Sequence, residues 1–596
     1  MEKLKTIARR PSKAITIFFI AVFFYYIFIG RYSLVYQEQI QLFLFDLRFL
    51  RDFLARPGGL TDYFGIFLIQ FYYVPLLGAF IMTLAGFGVF YISLYILKKV
   101  NINSSIAGIV PVLFLLVLQN DPYLTISYTV ALILSLGAVA LYINIKNNHI
   151  RYFSGTIIWL LLYASAGGFS FLTLILFIIY ELFTSKNILK FFVIGLWIIG
   201  AVAIPYLLWL TVYEIPLPEA WFSQNLTPVN TQTMKGCLVL LLYYPIIIAV
   251  AGAWHQLFRG KVFKPGWNWY TLLVSLTVCF FIYLSVPGLK RMIINHRRIV
   301  VIMKLDNCIQ HRSWERGIRI SSSYKRTDPL VVFYTNICLL KAGKLSDTMF
   351  NYRQVGRNGL MLDWVEDNVT PFFGGEVFYQ LGYVNETYRW AYEAFIATGQ
   401  GPRMLKRLVI TSILDNNDKV AEKYIDVLAK SLFYHKWAIG HRIYINSKEN
   451  DKIPVDLALA SKLNVKKDFF YDLDNYNADV KNMIENNPGN KEIFEYSLGL
   501  HMLEKDLSLL IQDAGMLKRY GYTAIPVHLE EALLVYMVNA NQNVVPEGYS
   551  IRESTMQRFR YYLSTNATYV ARSRAEAAKA LGKEYSNTYW YYSQFF

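Results

Sequence analysis

Acidic residues are scarce in the first half of this 596-residue chain. Residues 1–288 contain nine Asp and Glu, whereas residues 289–596 contain 33. An ionised side chain at the centre of a bilayer costs about 2.5 kcal/mol or more, so this depletion is typical of a membrane-embedded sequence. The mean hydropathy of +0.31 is high for a soluble protein, yet 17% of the residues are charged. The sequence therefore predicts a chain of two parts, one in a membrane and one in water.

Cysteine and the common catalytic signatures are also rare or absent. The four cysteines, Cys237, Cys279, Cys308 and Cys338, are far apart, and no CxxC pair occurs. Such spacing predicts neither a structural zinc site nor a disulfide framework. The sequence contains no HExxH, no GxSxG and no phosphate-binding Gly-Lys-Ser/Thr loop, motifs that would mark a metalloprotease, an α/β-hydrolase or a nucleotide-dependent enzyme.

Nine apolar segments predict an all-α, polytopic membrane domain over residues 1–288. They lie at 14–30, 66–97, 104–119, 123–145, 153–164, 169–183, 191–212, 237–254 and 269–287. Pro75 is expected to divide the long stretch 63–98 into a surface helix and the true crossing. The break at Gly167 leaves open whether 153–183 forms one helix or two. Basic residues precede the first segment and no small-residue cleavage site follows it, which predicts an uncleaved signal anchor.

Lys and Arg concentrate in alternate loops, which the positive-inside rule places in the cytoplasm. With nine spans and a cytoplasmic N-terminus, the long first loop, 31–65, and all of 289–596 lie outside. The sequence thus predicts a multi-pass protein of the bacterial inner membrane with a periplasmic C-terminal domain. Residues 289–326 hold ten Lys and Arg against two acids and are interpreted as a basic collar on lipid phosphates; a cytoplasmic C-terminal domain is the alternative. Residues 327–596 are nearly neutral, which does not indicate nucleic acid binding.

Residues 327–596 predict a soluble α-helical domain. Breaks at 339–345, 381–386 and 414–418 are typical of turns between short helices, and the last two lie about 33 residues apart. This period is close to that of tetratricopeptide repeats, which the domain resembles over about 330–440. An irregular helical array is the alternative. Because stacked repeats commonly bind protein segments on a concave surface, a protein partner is expected.

Seven of the nine acids in the first half fall in predicted outer loops, and three of them are candidate catalytic residues: Glu38, Asp46 and Asp121. Apolar residues from Ile40 to Leu54 recur at helical spacing and predict an amphipathic helix in the membrane interface. On that helix Asp46 falls inside the apolar arc, so its carboxylate needs a partner or a role. Asp121 stands in the second outer loop, where it could bind a divalent cation or orient a substrate.

The segment Tyr36-Gln37-Glu38-Gln39 joins the first span to the long outer loop, and interfacial helices, many spans and a large outer domain follow. In this layout the chain resembles the GT-C superfamily of glycosyltransferases, which use polyprenyl-phosphate-linked sugars and carry a catalytic acid in the first outer loop. The resemblance implies that Glu38 or Asp46 deprotonates an acceptor hydroxyl as the lipid phosphate leaves. The chain also looks like an uncharacterised family of bacterial membrane proteins with repeat-containing C-termini, which implies no activity.

Under the same resemblance, guanidinium groups would neutralise the leaving phosphate, which their planar fork suits. The candidates are Arg48, Arg51, Arg291, Arg297 and Arg298. A divalent cation is the one cofactor considered. The alternative function is a non-enzymatic envelope scaffold, in which the membrane half is an anchor and the helical repeats bind partner proteins. Transport is less well supported, because few charged residues fall inside the predicted spans.

Overall fold

The computed structural model of the chain is built from helices. It describes residues 13–102, 104–185, 187–222, 231–257, 297–365, 370–447, 449–461, 476–570 and 573–596, with five more residues between 276 and 283. These described residues contain no β-strand, which confirms the all-α prediction for them. They form two compact units. Unit 1 comprises Met1–Ile299 and Lys430–His435, and unit 2 comprises Val300–Ala429 and Lys436–Phe596.

Unit 1 begins with one long apolar helix that changes its winding midway. Helix α1 (Lys13–Tyr25) continues through a π-helical turn (Tyr26–Gly30) into α2 (Arg31–Ile40). An extended stretch leads to α3 (Leu47–Leu54), which is followed by α4 (Gly59–Ile69). π-Helical turns are rare overall, and those that occur are often at functional sites.

Seven further helices complete the described part of unit 1. They are α5 (Pro75–Lys99), α6 (Ser105–Leu118), α7 (Ile126–Asn144), α8 (Asn148–Ala166), α9 (Phe169–Thr184), α10 (Leu189–Thr211) and α11 (Thr231–Leu257). Their core is a continuous cluster of buried apolar side chains drawn from α1 and from α5 to α11.

Five helices in the described residues are long and apolar enough to cross a membrane. They are Lys13–Ile40, Pro75–Lys99, Ile126–Asn144, Leu189–Thr211 and Thr233–Ala253. The prediction of nine spans was therefore too high for this part of the chain. Helices α6 and α9 have 14 and 16 residues, whereas an upright crossing needs about 20. The predicted last span, 269–287, lies almost wholly outside the described residues.

The structure divides the chain at Pro75, as expected, and decides between the two alternatives for residues 153–183. Pro75 occupies the first turn of α5 and separates it from α4, because proline needs no hydrogen-bonded N–H there. Residues 153–183 form two helices, α8 and α9, and not one. They part at Gly167, whose backbone has φ +55°, a region that favours glycine.

Unit 2 is a series of short helices. After a helical stretch over residues 297–310 come α12 (Trp314–Ser322), α13 (Pro329–Lys341), α14 (Leu345–Thr348), α15 (Thr370–Gly374), α16 (Glu376–Leu381), α17 (Val384–Thr398), α18 (Pro402–Leu414), α19 (Asp418–Ala429) and α20 (His435–Ser447). The rest are α21 (Val455–Ser461), α22 (Tyr476–Asn486), α23 (Lys491–Glu504), α24 (Leu507–Ala514), α25 (Val527–Ala540), α26 (Glu553–Val570), α27 (Arg574–Tyr585) and α28 (Tyr589–Phe595).

The three turns predicted for unit 2 are present. Gly343, Gly382 and Asn416 have φ of +66°, +81° and +58°, and each lies between two consecutive helices. Glycine and asparagine tolerate this left-handed backbone best. Helix α18 packs on both α17 and α19, so neighbours in the chain are also neighbours in space.

The aromatic C-terminal segment packs back onto unit 2. Trp590 joins a buried cluster with Phe559, Tyr562 and Leu581. The Tyr592 hydroxyl donates to Leu503 O at 2.8 Å. The aromatic segment is therefore part of the folded unit.

Candidate functional site

Glu38 lies on the last turn of α2, at the end of the first membrane-length helix. The residue is 4% exposed, and its Oε1 accepts a hydrogen bond from the Tyr434 hydroxyl. Tyr434 is 396 residues away in the sequence but belongs to the same unit. Sequence reasoning missed Tyr434, because no local pattern reports a contact over such a separation.

Tyr434 is part of a short segment, Lys430–His435, that is held in unit 1 by several contacts. Lys430 Nζ lies 2.6 Å from Asp46 Oδ2. The Phe433 ring stacks on Tyr73, with centroids 4.9 Å apart and planes 23° apart. The 430–435 segment therefore meets two of the three predicted acids through different side chains.

Asp46 does not lie on the predicted amphipathic helix. Its backbone is extended (φ −140°, ψ 136°), and it is the N-cap of α3, accepting the Arg48 N–H at 2.8 Å. The prediction began the helix at Ile40 and was wrong about Asp46, because an aspartate favours the N-cap, where its carboxylate satisfies a free N–H. The hydrogen bonds from Lys430 and from the Arg48 amide lower the pKa of Asp46. Both carboxylate oxygens of Asp46 are thus engaged, Oδ1 by the Arg48 amide and Oδ2 by Lys430.

Asp121 lies in the turn between α6 and α7 and is 8% exposed. Its Oδ2 accepts the Thr233 hydroxyl, and its Oδ1 accepts the Tyr123 N–H at 3.0 Å. Asp121 Oδ1 thus stabilises the turn internally, and Oδ2 links the turn to α11.

The turn that carries Asp121 is a neighbour of the C-terminal part of α2. The Tyr36 and Tyr123 hydroxyls are 3.1 Å apart. Gln37 Nε2 donates to Leu124 O at 3.0 Å. Two of the predicted acids therefore lie on adjoining elements, although they are 83 positions apart in the chain.

Two polar oxygens on α2 retain hydrogen-bonding capacity. Ser33 Oγ and Gln37 Oε1 are buried and have no hydrogen-bond partner among the described residues. The two side chains are one helical turn apart and so lie on one face of α2. Since buried polar atoms are normally paired, this face is suited to a polar group of a ligand or to ordered water.

The predicted phosphate-binding arginines are placed apart. Arg48 and Arg51 are exposed on α3, directly after Asp46 in the chain. Arg297 and Arg298 are exposed at the start of the helical stretch 297–310, and Arg291 lies outside the described residues. A role in binding phosphate stays a prediction for all five.

The surroundings of Asp121 do not fit a dedicated metal site. The described residues contain no group of three or more His, Cys, Asp and Glu side chains that could hold a metal ion. Divalent magnesium and calcium need several oxygen ligands, and both oxygens of Asp121 already accept hydrogen bonds. The described surroundings of Asp121 therefore do not support the divalent cation that the sequence suggested.

A buried charge pair in unit 1 joins two of the later helices. Arg151 on α8 contacts Glu181 on α9 through two hydrogen bonds, Nε–Oε1 at 2.6 Å and Nη2–Oε2 at 3.0 Å. The Tyr142 hydroxyl donates to the same Oε1 at 2.8 Å. A bidentate pair with an added donor leaves little capacity for a ligand, so its evident role is to join α7, α8 and α9.

These features define an all-helical protein with several membrane-length helices in one unit and a second, helical unit. A family model matches residues 6–596 and is described as a family of unknown function (DUF6057). The chain belongs to this family. No curated protein matches the chain, and no solved structure matches it either.

Proposed function

We propose that this protein transfers a sugar from a lipid-linked donor at the outer face of the bacterial inner membrane, with Glu38 as the general base. The observation that carries the proposal is a buried carboxylate at the end of the first membrane-length helix, on the same helix as the unpaired oxygens of Ser33 and Gln37. Oxygens of this kind suit a ligand rich in hydroxyls, because each hydroxyl can donate one hydrogen bond.

The reaction would follow from these groups. Glu38 takes the proton of an acceptor hydroxyl, and the acceptor oxygen forms a bond to the anomeric carbon of the sugar. The bond from that carbon to the phosphate oxygen breaks, and the lipid phosphate leaves with the electron pair. The guanidinium groups of Arg48 and Arg51 neutralise its charge. A positioned general base contributes about 10²- to 10⁴-fold to such a step.

Glu38→Gln tests the proposal sharply. Glutamine keeps the size of the side chain and an oxygen that can accept the Tyr434 hydroxyl, but it cannot take a proton. Cells that lack the gene are expected to accumulate a polyprenyl-phosphate-linked sugar and to lose a glycan, both measured by mass spectrometry. The wild-type gene restores both, and the Glu38→Gln gene restores neither at equal membrane abundance.

Asp46→Asn is the matched control. Asparagine is as good an N-cap as aspartate, so α3 is retained, and this variant is expected to restore the glycan. Full restoration by Glu38→Gln would refute the enzymatic proposal.

An envelope scaffold is the second candidate, favoured by an exposed apolar row on α17 of unit 2. The Tyr388 and Tyr392 rings are parallel, with centroids 6.2 Å apart. Tyr392 and Ile396 are 42% and 63% exposed. Exposed aromatic and aliphatic side chains that lie together often mark protein-binding surfaces, and packed helix pairs commonly provide them.

The scaffold candidate predicts the opposite sensitivity to substitution. A partner recovered by crosslinking in cells would be lost in the double variant Tyr392→Ala, Ile396→Asp and kept in Glu38→Gln. A partner retained by the double variant would count against this surface. The two sets of variants therefore separate an enzyme from a scaffold.

A further inference from the structure

The Tyr434 hydroxyl, from the 430–435 segment, donates a hydrogen bond to Glu38 Oε1. The titratable groups that interact with this hydroxyl are Glu38 and Tyr73. Burial, and then the Glu38 carboxylate, raise the pKa of Tyr434 well above its ordinary value. At any physiological pH the phenol therefore keeps its proton and acts as a donor.

The position of the phenol is fixed by its neighbours in the segment. The Tyr434 ring packs edge-on against Tyr73, with centroids 5.7 Å apart, and Phe433 stacks on the same ring. Phe45, the residue before Asp46, donates its backbone N–H to the carbonyl oxygen of Lys430 at 2.9 Å. The segment is thus anchored by Lys430 and Phe433, which precede the tyrosine, and by the tyrosine ring itself.

A neutral donor has a defined effect on a buried carboxylate. Burial disfavours the charged form of an acid, whereas a hydrogen bond to the charged form favours it. A general base must be ionised before it can take a proton. The phenol therefore supplies what a buried base requires, and it also fixes the rotation of the carboxylate by binding one of its two oxygens.

We propose that Tyr434 is a positioning residue of the Glu38 site, which holds the carboxylate ionised and oriented. The site in unit 1 is then incomplete without residues 430–435, which come from the second half of the sequence. This inference rests on the proposed function of Glu38 as a base. It goes beyond that proposal because it assigns a role to a residue that the membrane half of the sequence does not contain.

The test measures the ionisation of Glu38 without any substrate. Dicyclohexylcarbodiimide modifies protonated carboxyl groups in apolar surroundings, and mass spectrometry of the peptide that contains Glu38 measures the extent. The full-length protein in membranes is labelled between about pH 4 and pH 9, a range that brackets ordinary and raised carboxyl titrations. Tyr434→Phe removes only the hydroxyl and keeps the ring.

Tyr434→Phe is expected to move the midpoint of labelling to higher pH by about one to two units, the effect of losing a hydrogen bond to a charged group. Lys430→Met is the control, because it removes the ion pair with Asp46 and leaves the phenol. It is expected to leave the midpoint unchanged. An unshifted midpoint in Tyr434→Phe, or an equal shift in both variants, would overturn the inference.

Failure of the proposed function would look different. In that case Glu38→Gln restores the glycan while the labelling midpoint still shifts in Tyr434→Phe. If both proposals hold, Tyr434→Phe also lowers the rate of transfer at neutral pH and regains part of it as the pH rises. A loss of rate that is the same at every pH would indicate a merely structural tyrosine and count against the positioning role.

Discussion

Four charged side chains form a buried network in unit 2, and it offers the most quantitative prediction. Arg403 contacts Asp306 at 2.7 Å and Glu376 at 3.2 Å, and Arg407 contacts Glu376 at 2.9 Å. All four side chains are at most 11% exposed. Burial opposes ionisation of Glu376, but the guanidinium groups of Arg407 and Arg403 outweigh it and hold the pKa of Glu376 below its usual range.

Glu376→Gln is expected to destabilise unit 2 strongly. The substitution leaves two buried guanidinium groups facing the single carboxylate of Asp306. Removing one partner of a buried ion pair costs about 3–5 kcal/mol, because the remaining charge is desolvated without compensation. At about 1.4 kcal/mol for each factor of ten, the population of opened unit 2 should rise roughly 10²-fold or more.

Two native cysteines report on this opening. Cys308 follows Asp306 by two residues, and Cys338 lies on α13, which also carries Tyr334, a donor to Asp306 at 2.9 Å. Both thiols are buried, and burial raises the pKa of Cys338 to about 12. A maleimide therefore reacts with them only when unit 2 opens. Peptide mass spectrometry of the full-length protein in membranes gives the labelling rate of each cysteine.

Glu315→Gln provides the matched control in the same unit. Glu315 contacts Lys344 at 2.6 Å, but the two side chains are 57% and 48% exposed. Such surface pairs contribute about 0–1 kcal/mol, so labelling should accelerate less than about fivefold. If Glu376→Gln labels no faster than Glu315→Gln, the reasoning about the buried network is refuted.

Two further predictions concern packing and acid sensitivity. Gly65→Ala is expected to lower the melting temperature of the detergent-solubilised protein, because the new Cβ would lie 1.9 Å from Ser127 Oγ and 2.9 Å from Ser127 Cα, and overpacking costs about 1–3 kcal/mol. Gly137→Ala is the control, because its Cβ meets nothing within 4 Å, and it should leave the melting temperature unchanged. An equal effect of both variants would contradict the steric argument. Burial opposes ionisation of Asp456, but the nearby His441 imidazole helps to lower the pKa of Asp456 to about 2. The ionised Asp456 therefore stabilises the fold fully above the unfolded pKa of about 3.9, and this stabilisation is lost as the pH falls towards 2. The melting temperature of the detergent-solubilised protein should therefore fall more steeply with decreasing pH in the wild type than in Asp456→Asn, and equal acid sensitivity would contradict this assignment.

Local features of the fold could be predicted from the sequence because their causes are local. Pro75 lies in the first turn of a helix, where the backbone N–H that proline lacks would not be hydrogen-bonded. Gly382 and Asn416 mark turns because they tolerate a left-handed backbone. The count of membrane helices failed for a different reason. Hydropathy identifies apolar segments whatever their length. The segments at 104–119 and 169–183 are already shorter than an upright crossing needs, and the structure keeps them short as α6 and α9.

The error at Asp46 shows where helical periodicity misleads. Apolar spacing extended smoothly back to Ile40, so the helical wheel placed the carboxylate within an apolar arc. The chain instead begins α3 at Leu47 and uses Asp46 as its cap. An Asp followed by an apolar run is itself a helix-start signal, and giving it precedence over periodicity would have placed the boundary correctly.

The candidate site was predicted only in part. Its acids all lie in the first 121 residues of the chain, whereas the residues that contact Glu38 and Asp46 come from the distant 430–435 segment. Glu38 and Asp121 fall in the outer loops that the sequence predicts, although the structure places Glu38 on α2, at the end of the first membrane-length helix. Tyr434 and Lys430 could be found only from the fold. Their contacts give the three acids different chemistry. Asp46 is paired with a cation and caps a helix, and Asp121 accepts a hydroxyl and a backbone N–H. Glu38 accepts a hydrogen bond from the Tyr434 phenol, on a helix that also carries two unpaired buried oxygens. An amide keeps one acceptor oxygen, enough for the Arg48 N–H at Asp46 and for the Tyr123 N–H at Asp121, but it cannot replace a base. The conservative amide variants are therefore expected to separate Glu38 from the other two acids.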